Sequence, residues 1–210
     1  MLTINILEKK YTTQLILEKI DLKINNFGLY GLVGKNGQGK TTLFKCILGL
    51  EKYKGESYVN NSKIALHNVA WCPAEPSIYG ELTANEFYEF YKNLLNLNEV
   101  TINPLFEVPE NKLIREFSTG IKKKVYLNAI FQKNYPIYFL DEPFNGLDLE
   151  SNYILMQYLI QKSNESIIII SSHIMDILYN NCKQIFVVNN KSLTQFEKEN
   201  FNHIQKLIFE

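Results

Sequence analysis

Residues Gly34-Lys35-Asn36-Gly37-Gln38-Gly39-Lys40-Thr41 form a glycine-rich run that ends in a lysine and a hydroxyl. An apolar segment, Leu29-Tyr30-Gly31-Leu32-Val33, precedes it, and a second, bearing Leu43, Phe44, Ile47 and Leu48, follows. No other feature constrains the fold as much as this order of strand, loop and helix. Glycines let consecutive backbone N–H groups turn inward around a phosphate, Lys40 supplies a point charge, and Thr41 offers its hydroxyl to Mg²⁺. The helix expected from Lys40 to Leu48 adds the positive end of its dipole. A glycine-rich turn with a chance lysine would need neither apolar flank, whereas a phosphate-binding loop needs both. The spacing therefore predicts an α/β fold built on a P-loop nucleotide-binding core.

At 210 residues, 46% hydrophobic and 21% charged, the chain suits one globular unit able to bury a core. Lysine plus arginine and aspartate plus glutamate both number 22, so no global field draws it to nucleic acid or anionic lipid, and no nucleic-acid partner is expected. Cys46, Cys72 and Cys182 are isolated, odd in number and without metal-ligand spacing, as small buried hydrophobes in a reducing compartment would be. Met1-Leu2-Thr3-Ile4-Asn5-Ile6 lacks the basic region and long apolar run of a signal peptide and reads as a first strand. No stretch approaches the about 18 to 20 apolar residues needed to span a bilayer. If the chain serves a membrane process, other chains hold the membrane.

Alternation from Leu2 to Leu7 and from Ile20 to Ile24 predicts half-buried strands, and Glu56 to Val59, Asn60-Asn61 and Lys63-Ile64 predict a hairpin. An antiparallel β layer should flank the core. Thr83 with Glu86 makes a capping box, after which Phe87, Phe90, Tyr91, Leu94 and Leu95 recur at helical spacing, with Tyr88 off the stripe and free to face a partner. Residues from about 76 to 133 read as a mostly helical subdomain inserted in a single domain of residues 1–210. Beyond it come a central parallel strand, Ile137-Tyr138-Phe139-Leu140, and a helix from Asp148, its N-cap, to Lys162. Strands at Ile167 to Ser171 and Ile185 to Val188 complete a mostly parallel sheet, and Gln195 to Glu210 reads as a short amphipathic helix.

Asp141-Glu142 closes the apolar strand at the edge where open α/β sheets bind ligands. Either both acids are merely solvated, or they divide labour, the first holding Mg²⁺ through water and the second polarising an attacking water. His173, after an isoleucine-rich strand and Ser171-Ser172, is either structural or placed to reach a phosphate. With the phosphate loop upstream, the pattern points to nucleotide hydrolysis.

Over essentially its whole length the chain resembles the ATP-binding cassette (ABC) ATPases. Phe117-Ser118-Thr119-Gly120-Ile121 is similar to the family's signature sequence and Asp141-Glu142-Pro143 to its Walker B box. Gly146-Leu147-Asp148 is similar to its D-loop and Ser172-His173 to its switch histidine, and Tyr11 resembles the aromatic residue on which adenine stacks. The resemblance implies ATP and Mg²⁺ as cofactors. It assigns Gly34, Asn36, Gly37, Gln38, Gly39, Lys40, Thr41 and Thr42 to the nucleotide, Thr41 and Asp141 to the metal, and Glu142 with His173 to catalysis. It makes Ser118 and Gly120 the groups that touch the γ-phosphate of an ATP held by the opposite subunit, while the Ser118 hydroxyl also suits an ordinary helix cap. One chain then cannot complete a site. The implied partners are a second ATPase subunit, identical or not, and separate permease chains, with the protein on the cytoplasmic face of the membrane.

Export of a peptide, toxin or antibiotic is the direction this minimal length favours, since many importer subunits carry an added C-terminal regulatory domain. Two rivals stand beside transport: a soluble ABC ATPase acting on ribosomes or DNA, and a non-hydrolysing ATP sensor. No sustained heptads lie between Thr41 and Phe117, the chain holds one cassette, and Glu142 with His173 argue against a sensor. The pattern departs from the family at Thr119 and Ile121, and at Ala74, which falls where the family usually carries glutamine. A methyl cannot ligate Mg²⁺, so either Glu75 substitutes or waters fill the position.

Ala74→Gln should tighten Mg²⁺ dependence and speed basal hydrolysis. Glu75→Ala should lower activity in the native background and much less beside Ala74→Gln, a non-additivity read from a double-mutant cycle of ATPase rates. Silence of Glu75→Ala in both backgrounds would leave waters as the substitute.

Overall fold

The structure, a computed structural model, describes residues 1–97 and 103–209. The first two strands, β1 (Leu2–Tyr11) and β2 (Gln14–Ile24), pair antiparallel. Strand β3 (Gly28–Val33) leads through the glycine loop into helix α1 (Lys40–Ile47), close to the expected bounds. The hairpin β4 (Lys54–Val59) and β5 (Ser62–Lys63) turns at Asn60 and Asn61, both left-handed with φ of 48° and 64°, as a two-residue turn requires. It joins the first pair to make a four-stranded antiparallel sheet in the order β2-β1-β4-β5.

Strand β6 (Val69–Cys72) is followed by α2 (Ala84–Leu94) and α3 (Thr119–Ile130), then β7 (Ile137–Leu140) and α4 (Leu149–Lys162). The remaining elements are β8 (Ile167–Ser171), α5 (Met175–Asn181), β9 (Gln184–Asn189), β10 (Ser192–Glu197) and α6 (Ile204–Phe209). Strands β3, β6, β7, β8 and β9 are parallel where they pair and β10 is antiparallel, in the order β10-β9-β3-β8-β7-β6.

Burial on both faces explains the continuous apolar runs of the central strands. Alternate residues divide between two cores, as the pleat demands. Leu29, Tyr138, Leu140, Ile168 and Ile170 meet helical residues such as Phe87, Val125, Leu155 and Leu178. Tyr30, Leu32, Phe139, Ile167 and Ile169 meet Leu43, Phe44 and Ile47 of α1 together with Leu2, Ile4, Leu17 and Ile20 of the antiparallel sheet. Because the central strands are parallel, Gly34, Pro73, Asp141 and Ser172 all follow their strands at one edge of the sheet. That edge is where ligands of open α/β sheets bind.

Three expectations are corrected. Tyr88 does not face a partner: it is 3% exposed, and its hydroxyl accepts a hydrogen bond of 2.9 Å from Asn128 Nδ2. Phe90 and Leu94, counted with the apolar stripe of α2, are exposed, so only part of that wide arc meets the core. The tail is not one helix from Gln195, since Gln195 lies in β10, a 3₁₀ turn spans Lys198–His203, and only Ile204–Phe209 is α-helical. The two-residue turn at Asn190 and Lys191, again left-handed at φ of 48° and 69°, folds β10 back onto β9, and this pairing overrides the weak helical spacing.

Between β6 and β7 the chain is less helical than its spacing suggests. The capping box forms, with Thr83 N–H donating to Glu86 Oε2 at 2.7 Å and Glu86 N–H to Thr83 Oγ1 at 3.3 Å. From Asn103 to Leu113, however, no helix forms. The buried Asn128 side chain braces this irregular stretch, accepting from Phe106 N at 2.9 Å and donating to Phe106 O at 2.8 Å. Asn128→Leu would orphan these groups, each costing about 1–3 kcal/mol, so urea unfolding should show a loss of about 3 kcal/mol, against about 1 kcal/mol for Tyr88→Phe.

Candidate functional site

The first turn of α1 faces the strand edge across an open cavity of about 340 Å³. Tyr11, Ile16, Asn36, Gly37, Gly39, Lys40, Thr41, Thr42, Asp141 and Glu142 line it. Gly39 caps α1 in the left-handed region at φ 105°, which only glycine adopts without strain, and this lets the helix start directly on the loop. The Lys40 side chain lies back over that loop, buried, and donates to Gly34 O at 2.8 Å. Gln38 closes the loop on itself through its N–H to Lys35 O at 3.2 Å, and neither Gln38 nor Gly34 lines the cavity.

Asp141 is 1% exposed, and its carboxylate accepts from two hydroxyls, Thr41 Oγ1 on Oδ2 and Ser171 Oγ on Oδ1, each at 2.5 Å. Buried carboxylates are costly without a cation or several donors. The residues at this point are therefore hard oxygen donors with charge to spare, and they fit a small divalent ion. Among the described residues no group of three or more His, Cys, Asp or Glu side chains gathers as a metal site. Glu75 is exposed and does not line the cavity.

Glu142 follows at φ 46°, a left-handed conformation unusual for a non-glycine residue. Its N–H donates to Ser171 Oγ at 2.8 Å, so one hydroxyl links the two adjacent acids. Glu142 Oε2 lies 3.0 Å from His173 Nδ1, and the histidine is 64% exposed and open to the solvent side. The geometry thus brings the loop, Thr41, Asp141, Glu142 and His173 into one place. Tyr11 stands at the rim with the Lys9 ammonium 4.2 Å from its ring centroid, which holds the ring through a cation–π contact.

Ser118, Gly120 and Asp148 form a second group that does not line the cavity. Ser118 caps α3, its hydroxyl accepting from Ile121 N at 3.4 Å. Asp148 caps α4 through Ser151 N at 2.8 Å and accepts from Lys124 Nζ at 2.8 Å, and the Lys124 ammonium holds its carboxyl well below the usual carboxylate range. Gly120 lies against Gly146, which is left-handed at φ 81°.

A family model described as ABC transporter matches residues 17–145. The chain belongs to the ABC transporter family. It is similar to the ABC transporter ATP-binding protein YtrB of Bacillus subtilis, 27% identical over 207 residues that span 92% of this chain and 70% of that protein. The lantibiotic transport ATP-binding protein SrtF of Streptococcus pyogenes is 28% identical over 221 residues, 99% of this chain and 95% of that one. A solved ATP-binding subunit of an ABC transporter superposes with a TM-score of 0.88 at 26% identity, covering 100% of this chain and 95% of the other. The fold described above is thus the ABC ATPase fold, and the chain is an ABC ATPase domain.

Two residues of this ABC ATPase escaped the sequence reading. Ser171, whose hydroxyl serves both acids, was signalled only by a polar residue closing an all-isoleucine strand. Lys123 lies buried on α3 within a run of three lysines, a pattern that reads as a solvated face. The three cysteines are free and buried, and burial pushes the Cys46 thiol up to about 11 and Cys72 to about 12, so they stay neutral.

A Cβ placed on Gly120 would fall 2.2 Å from Gly146 O, too close for any rotation to relieve. Gly120→Ala should therefore cost about 1–3 kcal/mol in thermal or urea unfolding. Exposed Thr119, next in the chain, should tolerate alanine within about 0.5 kcal/mol.

Proposed function

We propose that the protein is the ATP-hydrolysing subunit of a transporter, that two subunits close head to tail around two ATP, and that the motion drives export through separate membrane chains. The observation that carries this reading is the division of the site-bearing residues into two groups. The cavity has the phosphate loop and the acids, while Ser118 and Gly120 stand outside it at the start of α3. A helix start offers N–H groups and dipole to an anion, and nothing in its own cavity uses them. A second subunit in reversed orientation would supply the missing face to each site.

Within each site, adenine would rest against Tyr11 and Ile16, and the N–H groups of Asn36, Gly37, Gly39, Thr41 and Thr42 with the Lys40 ammonium would hold the phosphates. Thr41 and Asp141 would hold Mg²⁺, which when bound neutralises charge on the β- and γ-phosphates. Glu142 would take the proton of the water that attacks the γ-phosphorus, with His173, 3.0 Å from its carboxylate, keeping that oxygen in place. Asp148 would meet the partner subunit beside these groups.

No helix among the described residues is long and apolar enough to cross a membrane, so coupling would run through permease chains at the cytoplasmic face. The naming of a relative for lantibiotic transport supports a peptide antibiotic or similar molecule as cargo.

Positioned acid–base groups contribute about 10² to 10⁴ in rate, so Glu142→Gln should lower kcat by that factor while ATP binding persists. Sizing by light scattering should then show an ATP-dependent dimer. Wild-type turnover by this variant would remove Glu142 from the role, and co-purification with no membrane polypeptide would count against transport.

A further inference from the structure

Lys123 projects from the first half of α3 into the protein and is 2% exposed. Its ammonium donates to Glu142 O at 2.7 Å and to Ala74 O at 2.9 Å, and among the described residues it makes no ion pair. Burial lowers its proton affinity, a cost that the charges of Asp141, Glu142 and Glu75 only partly offset. A well-packed apolar side chain of similar length would spare that cost. The cation's value must therefore lie in what it holds.

What it holds is the backbone of Glu142. A non-glycine residue in the left-handed region persists only where its surroundings over-determine it. Here both polar ends of its peptide units are pinned, the N–H by Ser171 and the C=O by the Lys123 ammonium at 2.7 Å, with the Asn145 N–H a longer second donor at 3.2 Å. The second carbonyl belongs to Ala74, in the loop after β6.

We propose that Lys123 is a positioning residue for hydrolysis, its ammonium clamping Glu142 O and Ala74 O so that the Glu142 carboxylate is held toward the cavity and tied to the loop after β6. The inference rests on the proposed role of Glu142 as the base. Lys123 does not line the cavity and acts through that backbone alone. Misplacing a catalytic group by about 1 Å costs on the order of 10²-fold in rate, which sets the scale of the effect.

The test is steady-state and single-turnover ATPase assay of Lys123→Met and Lys123→Gln, alone and with Glu142→Gln. Lys123→Met fills the volume but donates nothing, and kcat should fall about 10- to 100-fold with KM for ATP changed less than about twofold. Lys123→Gln, whose amide carries two donors, should recover most of that loss. In the Glu142→Gln background Lys123→Met should change the residual single-turnover rate by less than about twofold, because its target is gone.

The inference is overturned if Lys123→Met keeps the wild-type kcat, if its loss lies in KM, if glutamine does no better than methionine, or if the effect persists undiminished beside Glu142→Gln. Should Lys123→Met fail to fold, Lys123→Leu, which also donates nothing, takes its place: kcat lowered about 10- to 100-fold with KM unchanged supports the clamp, and an unchanged kcat or a loss in KM refutes it. Wild-type turnover by Glu142→Gln alone would instead remove the base itself, an outcome distinct from a silent Lys123.

Discussion

One buried carboxylate joins the three segments on which everything else depends. Asp141 ends β7, accepts from Thr41 at the start of α1, and accepts from Ser171 at the end of β8. In a low-dielectric setting such hydrogen bonds to a charged acceptor are strong, and each deletion leaves a charge underserved. The register of the parallel sheet sets where these groups meet. Leu140 pairs with Ile170 and Leu32 with Ser171, so the ends of β3, β7 and β8 fall level. A shift of one residue would turn Asp141 to the other face of the pleat and dissolve the chain of contacts.

Local chemistry was legible in the sequence wherever the geometry is local. The glycine loop, the capping box at Thr83, the N-caps at Ser118 and Asp148 and the asparagine turn at Asn60 each rest on residues within a few positions of one another. The all-isoleucine strand announced its burial on both faces. What escaped were contacts between distant segments. Lys123 reaches a carbonyl 49 positions away, and Asn128 secures a tyrosine 40 positions away. Periodicity marks which face of a helix is apolar and says nothing of which polar group will find a partner inside.

The misread tail and the overstated stripe of α2 have the same origin. In both, a helical spacing was present, but strand pairing at β10 and the limited reach of the neighbouring core decided the outcome. Tertiary context overrides propensity where the competing energies are tenths of a kcal/mol per residue. At the site the reverse holds. There the chain accepts a left-handed glutamate and a buried ammonium, two departures from local preference at one point. Local rules broken together in this way are characteristic of functional regions.

The contact of Gly120 with Gly146 belongs to a set of three fastenings. Lys123 grips Glu142 O, Gly120 abuts Gly146, and Lys124 pairs with Asp148. Points along the start of one helix thus touch Glu142, Gly146 and Asp148, at both ends and within the stretch from 142 to 148. A displacement of the helix relative to the loop would have to break these contacts, so the two are mechanically coupled. Any push on this end of the helix would therefore reach Glu142 through contacts outside the cavity.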